Sequence, residues 1–182
     1  MLHDFEIHLE WEGPLSLEDA RNCCEDSDWG VYQIYGFHPA YGADVLLYIG
    51  KAQRQYFGNR LSQEKWWEGI ADAKQLKVYL GRLAGEIAPD DETWNRSIDL
   101  AERLLIHVHR PAWNAQKSIE NVDDDLQQVH LFNWGLHRSL LPEVSGARWT
   151  KRLNTITNWH VFKSVEPRLP RAIPAAPARI GK

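Results

Sequence analysis

Two apolar runs joined by a turn-forming segment constrain this chain more than any other feature. Trp29-Gly30-Val31-Tyr32-Gln33-Ile34-Tyr35 and Val45-Leu46-Leu47-Tyr48-Ile49-Gly50 are rich in β-branched and aromatic residues, and the stretch Gly36 to Asp44 between them holds two glycines and a proline. Such runs bounded by turn formers read as an antiparallel hairpin with a longer loop. From about Tyr56 to Ile70, the apolar residues Phe57, Leu61, Trp66, Trp67 and Ile70 recur at loosely helical spacing. Leu76 to Leu83 returns to strand-like alternation. Pro89-Asp90-Asp91-Glu92-Thr93 then opens a long helix, in which Trp94, Ile98, Ala101, Leu104, Leu105 and Val108 keep the 3.6-residue period. Pro111 stops it, because proline lacks the amide hydrogen and clashes with the preceding turn. The order is strand, strand, helix, strand, helix.

Outside this block, Phe5 to Trp11 alternates apolar with polar and reads as a half-buried strand, and Gly13-Pro14 breaks it. Ser16 is a helix N-cap, with Glu18 and Asp19 in the first turn of a helix to about Cys24. Val129 to Trp134 and Thr157 to Phe162 are further strand candidates that extend the sheet or form a small accessory unit. From Pro167 on, the chain is rich in proline and alanine. The organisation expected is an N-terminal strand-helix extension over 1–28, a catalytic domain over 29–116 and a C-terminal extension with a basic tail over 117–182.

Of the 182 residues, 43 % are hydrophobic, enough for a core without covalent staples. Nine tryptophans imply an aromatic-rich core, with any that reach a groove able to stack on bases. The formal net charge is −4, yet from Gly146 to the end eight basic residues face a single acid, Glu166. Such asymmetry marks Arg148, Lys151 and Arg152 as candidates for nucleic-acid contact. The two cysteines, Cys23 and Cys24, are neighbours, a poor geometry for a disulfide or a shared metal, and are read as reduced thiols. The acidic N-terminus is unlike a signal peptide, and no apolar stretch approaches a membrane span, so a soluble cytoplasmic protein is expected.

The hairpin carries the strongest chemical signal. Tyr32 and Tyr48 lie on adjacent strands, each close to a glycine, and pairing can bring their hydroxyls to one face. Arg60, in Gly58-Asn59-Arg60-Leu61-Ser62, is a guanidinium able to grip phosphate oxygens bidentately. Glu102 lies at the boundary of the buried face of the long helix, where a carboxylate is costly unless paired or bound to a cation. One carboxylate suffices for Mg²⁺ when water and a substrate phosphate complete the octahedron. Asp123-Asp124-Asp125 is read as a solvated turn or helix start. His107 and His109, two apart on a helix, lack the spacing of a zinc pair and are read as packing or surface residues.

Gly30-Val31-Tyr32, then Tyr48-Ile49-Gly50-Lys51-Ala52, Arg60-Leu61-Ser62, Glu102 and Asn114 together resemble the GIY-YIG nuclease superfamily in order and approximate spacing, over about half the chain. The resemblance implies an α/β (α+β) fold, a small three-stranded antiparallel sheet flanked by helices. It implies a metal-dependent endonuclease that hydrolyses phosphodiester bonds, in DNA rather than RNA, with one Mg²⁺ or Mn²⁺ per active site and no small-molecule cofactor. Glu102 would hold the metal and Arg60 the scissile phosphate. Tyr32 and Tyr48 would orient and deprotonate water, one as general base with Lys51 in support, while Gly30, Gly50 and Asn114 shape the site. A homodimer suits an enzyme that cuts both strands, since one site handles one strand. The chain departs from the family pattern in three places. Val31 replaces the usual Ile, the interval from Gly50 to Arg60 is longer, and Glu64 stands where relatives carry His or Tyr. Glu64 is read as a helix-surface acid, with a substitute base as the other reading. The alternative function is a catalytically inactive nucleic-acid-binding module of the same fold, or an RNA-cutting nuclease.

Overall fold

The computed structural model describes residues 5–65, 67, 75–114 and 122–149. Lys151, Arg152, the strand candidate at 157–162 and the tail from Pro167 lie outside the described residues, as does most of the segment after Lys65. The strands are β1 (Phe5–Leu15), β2 (Gly30–His38), β3 (Gly42–Ala52), β4 (Lys77–Ala84), β5 (Val129–Gly135) and β6 (Glu143–Ser145). The helices are α1 (Leu17–Arg21), α2 (Phe57–Gln63) and α3 (Asp91–His109), with short 3-10 turns at Leu126–Gln128 and Gly146–Trp149. Among the described residues, no helix is long and apolar enough to cross a membrane.

The strands form one six-stranded sheet in the order β3-β2-β4-β1-β5-β6. This corrects the expected three-stranded antiparallel sheet. The three expected strands are present, and β2 pairs antiparallel with both β3 and β4. However, β4 does not end the sheet. It pairs antiparallel with β1, which runs parallel to β5, and β5 pairs antiparallel with β6, so the sheet is mixed. Side chains fasten the added strands. In the core, Trp11 Nε1 on β1 donates to Asn133 Oδ1 on β5 at 2.8 Å, and Asn133 Nδ2 donates to the Leu141 carbonyl at 2.8 Å. A buried indole N–H is costly unless paired, so this bond holds the two strands in register.

Two local expectations also change. Gly13-Pro14 does not end β1; the strand continues through a cis peptide bond to Leu15, with a register irregularity between Glu12 and Leu15. Helix α2 ends at Gln63, with Glu64 already extended (φ −75°, ψ 130°), well short of Ile70. By contrast, α3 is bounded as its sequence implies. The Asp90 carboxylate accepts from Thr93 N–H at 2.9 Å, and Arg110, left-handed at φ 46°, ends the helix just before Pro111.

Apolar groups collect on both faces of the sheet. Ile98, Ala101, Leu104 and Leu105 of α3 pack with Val31, Ile49 and the β1 and β5 residues Leu9, Trp11 and Leu131. Tyr32, Ile34, Leu80, Phe57 and Leu61 form the second cluster, under α2. Each fully buried aliphatic side chain contributes roughly 1.5–3 kcal/mol relative to exposure. Near the end of α3, His107 packs edge-on against Trp149, with ring centroids 4.7 Å apart. His109 Nε2 accepts from Leu141 N–H at 3.4 Å, and burial lowers its pKa from 6.5 to about 4.

The His109 ring therefore stays neutral in the fold at pH values where the unfolded chain binds a proton. The unfolded state takes up more protons between these two values, so stability rises with pH across that window and is lost as pH falls. Urea unfolding is expected to show a loss of roughly 2–3 kcal/mol from pH 6.5 down to pH 4 attributable to this group, and His109→Gln should flatten that slope. An unchanged slope in the variant would assign the acid sensitivity to other groups.

Candidate active site at the edge strand

The site is built around β3, the edge strand of the sheet. Register places Tyr32 opposite Gly50, and Tyr48 opposite Ile34. Side chains alternate along a strand, so both phenols and Gly50 share one face. The rings of Tyr32 and Tyr48 stand 6.1 Å apart, tilted by 35°. Gly50 makes room for them: a Cβ there would lie 2.5 Å from the Tyr32 hydroxyl and 2.7 Å from Cε1 of Tyr48. Gly30 is needed for a different approach, since its Cβ would fall 2.1 Å from the Gly81 carbonyl oxygen on β4.

Helix α2 brings Arg60 to the same face, where its guanidinium reaches both phenol hydroxyls. Glu64 joins it. Its carboxylate pairs with Arg60 one turn back, accepts from the Tyr32 hydroxyl at 3.5 Å, and is only 15 % exposed. The surface reading of Glu64 is thereby corrected: the early end of α2 lets the extended Glu64 turn its side chain back into the site. Burial pushes the Tyr32 phenol well above its ordinary value, and the charges of Tyr48 and Glu64 add to this. Burial, then Glu64 and Glu102, push Tyr48 up to about 12, against the pull of Arg60. Both phenols are therefore protonated at neutral pH.

Lys51 points the other way. It is opposite Val31 in register and shares parity with Ile49, on the face covered by α3. Its ammonium pairs with Asp99 and lies 3.3 Å from Glu102 Oε2. Burial works to lower the Lys51 pKa, but the hydrogen bonds and charges of Asp99 and Glu102 outweigh it and hold the ammonium above its ordinary value. Glu102 is 2 % exposed. Asp99 and Glu102 are three apart on α3 and so face the strand together. The Glu102 charge is felt at Tyr48 across the strand edge. The candidate residues thus form two groups that meet at β3, the phenols with Arg60 and Glu64 on one side and Lys51 with Asp99 and Glu102 on the other.

Glu102 and Asp99 are oxygen donors of the kind a hard divalent cation takes. Glu102 is a buried oxygen donor already beside a positive charge, and Asp99 can retain Lys51 if the carboxylate turns to a metal. Among the described residues no group of three or more His, Cys, Asp or Glu is arranged to hold a metal, so phosphate and water would have to complete the shell. The run at 123–125 is engaged otherwise: Asp123 pairs with Arg103 and caps Leu126 N–H at 3.0 Å, and Asp125 lies 3.7 Å from Arg96.

Asn114 braces β3 directly. Its Oδ1 accepts from Ile49 N–H at 2.8 Å and its Nδ2 donates to the Ile49 carbonyl at 2.9 Å, so one side chain does the work of a neighbouring strand. Trp113 N–H adds a bond to the Leu47 carbonyl at 2.8 Å, and Ala112 N–H one to Leu46 at 3.2 Å. Arg148 is exposed on the turn after β6, the opposite edge strand, and is not part of this group. Sequence reasoning left out Asp99 and favoured the surface for Glu64, with a substitute base as its other reading. The i, i+3 spacing of Asp99 to Glu102 at the polar margin of α3 was a signal for the first. No family model, curated protein or solved structure matches this chain.

Replacing Asn114 with alanine strands a buried amide and a buried carbonyl on the edge strand. Asn114→Ala is expected to lower the unfolding free energy by about 2–4 kcal/mol in urea titration. A loss under about 0.5 kcal/mol would mean that the edge is sealed by something else.

Proposed function

We propose that this protein is a metal-dependent phosphodiesterase that cuts nucleic acid, DNA in preference to RNA. The observation that carries the reading is the meeting, at one edge strand, of two phenols and a guanidinium with a buried carboxylate beside a cation. The ordered motif set from Gly30 to Asn114 supports it, and the preference for DNA rests on the resemblance to GIY-YIG nucleases alone. The six-stranded sheet departs from the small sheet of that resemblance, so the residues and not the architecture support the reading.

In this reading Arg60 donates to the non-bridging oxygens of the scissile phosphate and offsets the charge that grows there as the bond breaks. Tyr32 and Tyr48, protonated at neutral pH, hold the attacking water by hydrogen bonds. Their raised pKa values make them poor bases, and Glu64, which accepts from the Tyr32 hydroxyl, is the carboxylate placed to take the proton. Glu102 would hold one Mg²⁺ or Mn²⁺, which when bound supplies charge neutralisation at the phosphate and acidifies water. Asp99 keeps Lys51 close, so that the site retains a compensating charge. A homodimer would let two such sites cut both strands.

The Arg60–Glu64 ion pair favours a second reading, a module that binds nucleic acid without cutting it, because the carboxylate competes with phosphate for the guanidinium. Cleavage of plasmid and single-stranded DNA with Mg²⁺ or Mn²⁺, against EDTA, separates the two. The expected result is metal-dependent nicking or linearisation, abolished by Glu102→Ala and lowered at least about 100-fold by Glu64→Gln. Binding without cleavage by the folded wild type would favour the module. Cleavage unaffected by Glu102→Ala would remove the proposed centre.

A further inference from the structure

Alternation divides β1 and β5 between two faces of the sheet. Ile7, Leu9 and Leu131 enter the core under α3. The intervening residues, Glu6, His8 and Glu10 on β1 and His130, Phe132 and Trp134 on β5, point to the opposite side. Register sets Glu6 beside His130, His8 beside Phe132 and Glu10 beside Trp134. Phe132 and Trp134 belong to neither buried cluster, and Trp134 is 49 % exposed. A large aromatic ring on an open sheet face marks a surface that binds something.

The rings on this side are ordered. His8, His130 and Trp134 each stack with Phe132, with centroids 5.0, 4.6 and 6.0 Å away and planes within 26° of parallel. Trp134 Nε1 donates to His8 Nδ1 at 2.9 Å, which leaves the imidazole proton on Nε2 to bond the Glu6 carboxylate at 2.8 Å. An exposed indole fixed in this way has little side-chain freedom left to lose on binding. Carboxylates surround it. Glu10 stands opposite Trp134, and its Oε1 lies over Gly135, 2.3 Å from where a Cβ would fall. Glu143 on β6 faces Phe132 and bonds His130 at 2.7 Å. The Glu6 and Glu143 side chains are 63 % and 61 % exposed. Together β1, β5 and β6 carry four glutamates and no lysine or arginine. Arg82 on the neighbouring β4 is taken by Glu12 and Asp28. The face is therefore aromatic and acidic, which repels a phosphate backbone. A π-face beside a carboxylate suits a guanidinium, which stacks on the ring and donates to both carboxylate oxygens.

We propose that this face of β1 and β5 is a docking surface for an arginine-bearing segment of a partner protein. The arginine stacks on the Trp134 ring and donates to the Glu10 carboxylate, and Glu6 and Glu143 rim the contact with further negative charge. The surface lies away from the group built around β3, which is the far edge strand of the same sheet, and it stands independently of the nuclease reading.

The test is a titration of the full chain with a short peptide of alternating arginine and glycine, with its lysine counterpart and with single-stranded oligothymidylate. Binding is followed by nuclear magnetic resonance of the tryptophan indole N–H groups, the Trp134 signal being the one missing from Trp134→Phe. The arginine peptide is expected to shift that signal. Trp134→Ala and Glu10→Gln, shown to be folded by circular dichroism, should each weaken its binding about tenfold, and the lysine peptide should bind wild type more weakly than the arginine peptide. An arginine peptide that leaves the Trp134 signal in place, or that binds both variants as tightly as wild type, would overturn the proposal. So would equal binding of the lysine peptide, which needs charge alone, or a Trp134 shift produced by oligothymidylate and not by the arginine peptide, which would assign the face to nucleic acid.

Discussion

A carboxylate that is 2 % exposed cannot stay charged in a fold without a partner, and the candidate site is organised around that requirement at Glu102. Lys51 answers it from the edge strand, and Asp99, one turn earlier on α3, holds the other side of the same ammonium. Removing Lys51 would leave the buried Glu102 charge uncompensated, a change that typically costs about 3–5 kcal/mol. The cluster therefore fixes the approach of α3 to β3 as well as the local charge. In the proposed reading, a divalent cation at Glu102 would exchange one positive partner for another.

Edge strands expose unpaired backbone groups and are weakly specified in register. In this chain the strand that carries Tyr48, Gly50 and Lys51 is an edge strand, so its position depends on what covers it. Asn114 and the Ala112–Trp113 amides supply that cover through Leu46, Leu47 and Ile49. With the strand fixed, alternation sends Tyr48 to one face and Lys51 to the other, and the two halves of the site meet across its rim. The hydroxyls of Tyr32 and Tyr48 are then held under Arg60 and Glu64, where burial raises the pKa of both phenols.

The parts of this arrangement that were legible in the sequence are those with a local cause. The alternation of β2, β3 and β4, the 3.6-residue period of α3, the Asp90 cap and the stop at Pro111 all act within a few residues, and each appears where the pattern puts it. Pairing partners have no local cause. Alternation in Phe5–Trp11 and Val129–Trp134 marked strands, yet nothing in either run says that they lie parallel to one another and join the sheet through β4. The Trp11–Asn133 bond that fastens them spans 122 residues. Glu64 was misplaced because the helix was expected to continue; its role depends on α2 ending at Gln63.

The proposed reading requires Glu102 and a substrate phosphate to hold a single divalent ion together. Its most direct test is Mn²⁺ binding followed by electron paramagnetic resonance, with and without a short DNA carrying a non-hydrolysable phosphate linkage. The expected result is one ion per chain, bound tightly only when the DNA is present and lost in Glu102→Gln. Retention of the same bound ion in Glu102→Gln, or no bound ion in wild type with saturating DNA, would contradict the account.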